Sequence, residues 1–249
     1  MRLILSLRSN KTINQKNFEE KYHTAMHGFL YKQLLPHFPN LHEEKSYGVF
    51  CFGNLFPIEN SLIKEGGTYK VVITSPLPEV IEKLFFSISL EKLVNLGEAS
   101  FTVLEKKIKI ITLKKHSSIE NISPIQITIK ENEVIKSLKF GDARYLDCLR
   151  KNLIRKYNFF SGGSKLDEEF QLFENVIIET YPHKAEASFP IYFYNKEKND
   201  KFYIIGSKLI FHFKGINETQ LKAFQTCFDA GFGERTTYGA GFVIERWNK

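Results

Sequence analysis

Leu3, Leu5 and Leu7 alternate with Arg2, Ser6 and Arg8, the period of a strand with one buried face, with Ile4 blurring the alternation. Asn17 followed three residues later by Glu20 has the form of a capping box, and Phe18, Tyr22, Ala25, Met26, Phe29 and Gln33 then gather on one side of a helix. Pro36 stops it. Residues 47–55 read as extended, 68–74 alternate as a strand, 76–90 read as a helix opened by prolines, and 101–113 are extended again. The order strand, helix, strand, strand, helix, strand is that of a ferredoxin-like unit.

A second pass of the same order begins near Ser123 and Pro124, where Ile125, Ile127 and Ile129 alternate. Asp142 is placed to cap a helix carrying Tyr145, Leu146, Leu149, Leu153 and Tyr157, and Ser161-Gly162-Gly163-Ser164 follows as a linker. Strands are expected around 173–181, 191–194 and 202–213. Asn217 and Gln220 offer another capping box for a helix with Leu221, Phe224 and Phe228 on one face, which Gly231 ends, and 242–247 closes as a strand. The fold class expected is α+β, with two tandem ferredoxin-like domains at 1–122 and 123–249.

Composition changes this picture in one direction. With 249 residues, 43% of them hydrophobic, the chain is long enough for one large domain or two small ones and has ample apolar material for a buried core. A formal charge of +7 favours a polyanionic partner, and 23 Phe with 11 Tyr suit sheet cores and base-stacking surfaces alike. Cys51, Cys148 and Cys227 lie far apart without a CxxC pair, which reads as free thiols in a reducing compartment. No apolar run approaches the roughly 20 residues that span a bilayer, and Met1 leads directly into a strand pattern, so a cytoplasmic protein without a membrane partner is expected.

The most informative stretch is Gly231-Phe232-Gly233-Glu234-Arg235-Thr236-Thr237-Tyr238-Gly239-Ala240-Gly241, two Gly-x-Gly pairs between a helix and a strand. Glycines bring backbone N–H groups close to a phosphate, Arg235 adds charge, and Thr236 and Thr237 add hydroxyl donors. The competing reading is structural: a helix C-cap at Gly231 followed by a glycine-bearing turn. No Gly-Lys-Ser/Thr follows, so it is not a Walker loop, and the strand-then-helix order of a dinucleotide site is missing.

This loop, its place before the last strand and the helix preceding it resemble the C-terminal motif of the CRISPR-associated repeat-processing endoribonucleases of the RAMP superfamily. The opening Arg2-Leu3 strand, Gly28-Phe29-Leu30-Tyr31 and Ser123-Pro124-Ile125 extend the resemblance to both ends and the middle of the chain. It implies metal-independent cleavage of precursor CRISPR RNA within its repeats, giving a 2′,3′-cyclic phosphate and a 5′-hydroxyl, without cofactor. RNA contacts are then expected at Gly231, Gly233, Arg235, Thr236, Gly239 and Gly241. Relatives also serve as non-catalytic RNA-binding subunits of CRISPR effector complexes, the alternative reading, and some form homodimers.

Cutting RNA without a metal requires a base for the ribose 2′-hydroxyl, an acid for the departing 5′-oxygen and cationic stabilisation of the phosphorane, tasks suited to His, Tyr and Lys. Of the seven histidines, His42 in Leu41-His42-Glu43-Glu44-Lys45 resembles the family's catalytic position after the first helix, and Tyr31 its helix tyrosine. The family's lysine falls slightly beyond Lys45, near the uncharged Tyr47 or Gly48, so Lys45 substitutes through a shift in the loop, with Arg235 as a replacement. His37 and His27 are rivals to His42. His23, His27 and Tyr31 recur every four residues and form one helix stripe, for which a solvated face is the plainer expectation. No third ligand with suitable spacing completes a zinc set around His23 and His27, so no metal is expected. Lys106, Lys107 and Lys109 read as the polar side of an edge strand, and Arg150-Lys151 with Arg155-Lys156 as a basic helix face.

Overall fold

The computed structural model describes residues 1–39, 47–163, 165–180, 188–195 and 200–246. They form two compact units: 1–110 with 192–203 and 237–239, and 111–191 with 204–236 and 240–249. No helix among the described residues is long and apolar enough to cross a membrane.

In the first unit, β1 (Arg2–Ser9) leads into α1 (Gln15–Leu34), then β2 (Cys51–Phe52), β3 (Thr68–Thr74), α2 (Pro78–Ser87), β4 (Leu93–Leu96) and β5 (Ala99–Lys109). The antiparallel sheet has the order β2-β3-β1-β5-β4. Leu3, Leu5 and Leu7 are buried as the alternation predicts, against Phe18, Tyr22, Met26 and Leu30 of α1 and Val80, Ile81 and Leu84 of α2. The cap of α1 differs from expectation: Asn14, not Asn17, accepts the Lys16 amide proton, which starts the helix a turn earlier. Pro36 follows Leu35, the C-cap, as expected.

The second unit repeats the plan. β6 (Ser118–Asn121) is followed by the hairpin β7 (Ile127–Glu131) and β8 (Val134–Leu138), α3 (Tyr145–Phe160) and β9 (Val176–Thr180). The hairpin strands β10 (Ser188–Asn195) and β11 (Asp200–Ser207), of which residues 192–203 belong to the first unit, then precede β12 (Leu209–Phe213), α4 (Glu218–Ala230) and β13 (Val243–Arg246). The sheet order β9-β12-β6-β13 places the first strand between the third and fourth, as in the first unit without β4. This is the tandem ferredoxin-like arrangement expected from element order. The run expected as one strand at 202–213 is two, β11 and β12, which lie in different sheets. Asn217 and Gln220 form the predicted reciprocal capping box of α4. Asp142 does not cap α3; it accepts the amide proton of Arg144, which occupies the N-cap, and so tightens the turn before the helix.

Candidate active site

Within the first unit, the stripe of α1 residues at four-residue spacing faces a single 3₁₀ turn of the glycine-rich loop, and is not a solvated face. His23 is 7% exposed. Its Nδ1 lies 2.9 Å from the carbonyl oxygen of Tyr238, and because a carbonyl only accepts, Nδ1 carries the proton. Burial lowers the His23 pKa to about 4, against the opposing effect of that hydrogen bond, so the ring is neutral at neutral pH. Phe52 stacks on it with ring centroids 6.0 Å apart, and Phe193 lies at 6.1 Å.

One turn further along α1, His27 repeats the contact with the preceding carbonyl. Its Nδ1 donates to the Thr237 oxygen at 2.9 Å, so the neutral ring takes the tautomer with its lone pair on Nε2. Its ring stacks on Tyr238 with centroids 3.8 Å apart and planes 7° from parallel. Tyr31, the next member, is half-buried with its ring 4.4 Å from His27 and 5.3 Å from Phe50. Burial, and then the neighbouring Tyr238, raise its pKa above the ordinary phenol value, while a hydrogen bond with the Thr237 side chain opposes the rise. At neutral pH Tyr31 is therefore a protonated donor and not a base. His42 and Lys45 lie outside the described residues. His37 is exposed and pairs at 3.0 Å with Ser87 at the end of α2.

The turn is held close to α1 because Gly239 carries no side chain. At its φ of +80°, an added Cβ would come within 2.7 Å of the Phe52 ring and 2.9 Å of His23 Nδ1. A Cβ on Gly48 would likewise collide with the Thr237 side chain. Sequence reasoning singled out the stripe but not what it meets, the Thr237 and Tyr238 carbonyls and the rings of Phe50, Phe52 and Phe193; the alternation of Phe50 and Phe52 was the available signal.

In the second unit the same loop is fixed by its own backbone. Gly231, with φ +81°, is the C-cap of α4, and the buried Lys156 donates to its carbonyl at 2.7 Å. Gly233 has φ +75°, and a Cβ there would lie 2.5 Å from the Gln126 carbonyl oxygen; one on Gly241 would collide with the Phe232 backbone. The Glu234 carboxylate accepts from the Thr128 amide and hydroxyl at 3.0 and 2.8 Å. Thr236 is buried, whereas Arg235 is exposed at φ +52°. Much of the glycine spacing thus answers to packing, and Arg235 is the charged side chain the loop exposes.

Part of one expected basic track and most of another are engaged within the protein. Lys106 donates to the carbonyls of Phe85 and Ile88 at the C-terminal end of α2. Arg150 pairs with Asp147 and Glu169, Arg155 with Glu168, and Lys151 with Asp147, so with Lys156 buried the α3 face is neutralised.

Residues 104–244 match the family described as CRISPR associated protein Cas6, C-terminal. The chain is 27% identical over 251 residues to the CRISPR-associated endoribonuclease Cas6 2 of Methanocaldococcus jannaschii, covering 98% of each. It superposes on a solved CRISPR associated protein Cas6 with a TM-score of 0.71 at 22% identity, covering 99% of both chains. A Cas6-related protein from Pyrococcus furiosus gives 0.70 at 20% identity, covering 100% of this chain and 99% of that one. These two superpositions bear on the fold.

Proposed function

The chain belongs to the CRISPR-associated Cas6 family, and from that membership we propose that it is an endoribonuclease that cuts precursor CRISPR RNA within its repeats, without a metal. The full-length likeness to a relative named an endoribonuclease supports the activity. The observation that carries the chemistry is the meeting of His27 and Tyr31 with the Thr237–Tyr238 turn, where an imidazole of fixed tautomer and a protonated phenol stand side by side.

The ribose 2′-oxygen loses its proton to a base as it bonds to the adjacent phosphorus, and the P–O5′ bond breaks as O5′ gains a proton from an acid. The products are a 2′,3′-cyclic phosphate and a 5′-hydroxyl. His42 is assigned to proton transfer, with His27 as the rival whose Nε2 lone pair suits the base. The Tyr31 phenol donates a hydrogen bond that orients the scissile nucleotide, and Lys45 or Arg235 supplies the positive charge the phosphorane requires. The half at 1–122 is taken as catalytic and the half at 123–249 as gripping the RNA backbone through the glycine-rich loop, with Gly231, Gly233, Arg235, Thr236, Gly239 and Gly241 as its contacts.

Incubation with the cognate repeat RNA in excess chelator tests the reaction class. Undiminished cleavage with a cyclic phosphate upstream is expected; absolute dependence on a divalent metal would reject the mechanism.

A further inference from the structure

A second surface of α1 has no part in the chemistry above. Beside the imidazole stripe, α1 and the edge strand β4 enclose a cleft of about 600 Å³, within the ~300–1,000 Å³ range of ligand sites. Its walls carry Lys21, Lys32 and Lys92, and its rim carries Tyr194 and the 59%-exposed Leu93. Among the described residues the one carboxylate lining the cleft is Glu98, which pairs with Lys21 at 2.6 Å. Lys92 donates to Gln33 at 3.0 Å, and Lys32 is exposed.

Gly28 lines this cleft in the interior of a 20-residue helix, where glycine lowers helix stability. Unlike Gly239, it is not called for by packing among the described residues: a Cβ at Gly28 would meet no neighbouring atom of another element within 4 Å. The bare backbone opens onto the cleft. A glycine that packing does not call for, on the wall of a lysine-lined cleft, marks a place where something outside the chain approaches the helix closely.

The ligand follows from how two elements divide their residues. On α1, Thr24 and Gly28 line the cleft, each one residue after His23 and His27, so the cleft begins about 100° around the helix from the imidazoles. On β10, Phe193 lies against His23 and Tyr238, while the next residue, Tyr194, lines the cleft, with Lys21 Nζ 5.3 Å from its ring centroid and its amide bonded to Thr24. Cleft and candidate active site are thus adjacent faces of the same two elements, and a strand passing one reaches the other.

We propose that this cleft binds single-stranded RNA next to the scissile phosphate, the lysines holding its backbone and Tyr194 and Leu93 offering surface to a base. The proposal rests on the RNA-cleaving reading above and adds a further RNA-binding site to it. Repeat binding on such a surface combines phosphate charge with stacking.

The test is Gly28→Gln, whose side chain enters the cleft while helix propensity improves, and Lys32→Ala at an exposed position. Cognate repeat RNA, transcribed from the CRISPR array of the same genome, is titrated against each variant at several salt concentrations. Gly28→Gln should bind about tenfold more weakly or worse, the scale of losing one stacked base, with a melting temperature no lower than wild type. Lys32→Ala should reduce the salt slope by about 1. Wild-type affinity in Gly28→Gln, or an unchanged slope in Lys32→Ala, overturns the assignment while leaving the nuclease reading intact. A wild-type protein that binds no repeat RNA overturns that reading, and the cleft's ligand with it.

Discussion

His23 donates its Nδ1 proton to the carbonyl of Tyr238, 215 residues further along the chain, over 2.9 Å. Within the first unit the buried ring joins α1 to the turn at 237–239, and it does so in the neutral state. With the folded pKa lowered to about 4 and an unfolded value near 6.5, the unfolded chain binds more protons between these limits. The stabilisation is therefore complete above pH 6.5 and disappears as pH falls toward 4. Its size is on the order of 3 kcal/mol. Denaturant titrations of wild type across this window should show the loss, and His23→Gln should flatten it. An equal pH slope in both proteins would show that His23 is not the linked group.

Proton transfer by His42 is tested by His42→Ala. Single-turnover cleavage should fall by about 10²-fold or more with repeat affinity nearly intact, the usual contribution of general acid-base catalysis. Near-normal cleavage would move the role to His27, whose Nε2 lone pair is set by the Thr237 carbonyl, or to His37. Parallel alanine variants at those two positions decide between them.

The glycine-rich loop separates into a charged part and a packed part. Arg235→Ala removes an exposed guanidinium and should weaken repeat binding with a salt slope lower by about 1. Gly239→Val should impair binding through misfolding, since the Phe52 ring and His23 already occupy the space of a Cβ. A salt slope unchanged by Arg235→Ala would leave the loop only its structural role.

The fold was legible where one segment carries its own signal. The Leu3-Leu5-Leu7 alternation and the Asn217–Gln220 box name their elements locally, and both stand in the structure. Asn17 misled because Asn14, three residues earlier, offers the same side chain at a position where the Lys16 amide is within reach. The extended run at 47–55 pairs with β3 in two pieces, β2 at Cys51–Phe52 and, just past its end, a further antiparallel bridge from Phe56 to Lys70.

For the candidate site, the four-residue stripe was readable but its burial was not. No periodicity in α1 encodes a partner more than 200 residues away, so His23 and His27 looked like surface residues until Thr237 and Tyr238 were placed against them. For the same reason the lysines and arginines of α3 read as a free basic face, because their partners Glu168 and Glu169 follow the helix at a distance only folding closes.

In the proposed reaction the RNA supplies its own nucleophile, and one substituted substrate tests this whichever residue acts as base. Replacing the single 2′-hydroxyl immediately upstream of the scissile phosphate by hydrogen removes the attacking group. Cleavage at that bond should stop while binding persists, since one lost hydroxyl contact costs about 0.5–1.5 kcal/mol against many phosphate contacts. The deoxy repeat should therefore compete with the natural one. Cleavage of the deoxy strand at the original bond would contradict the account, because it would require a nucleophile drawn from solvent.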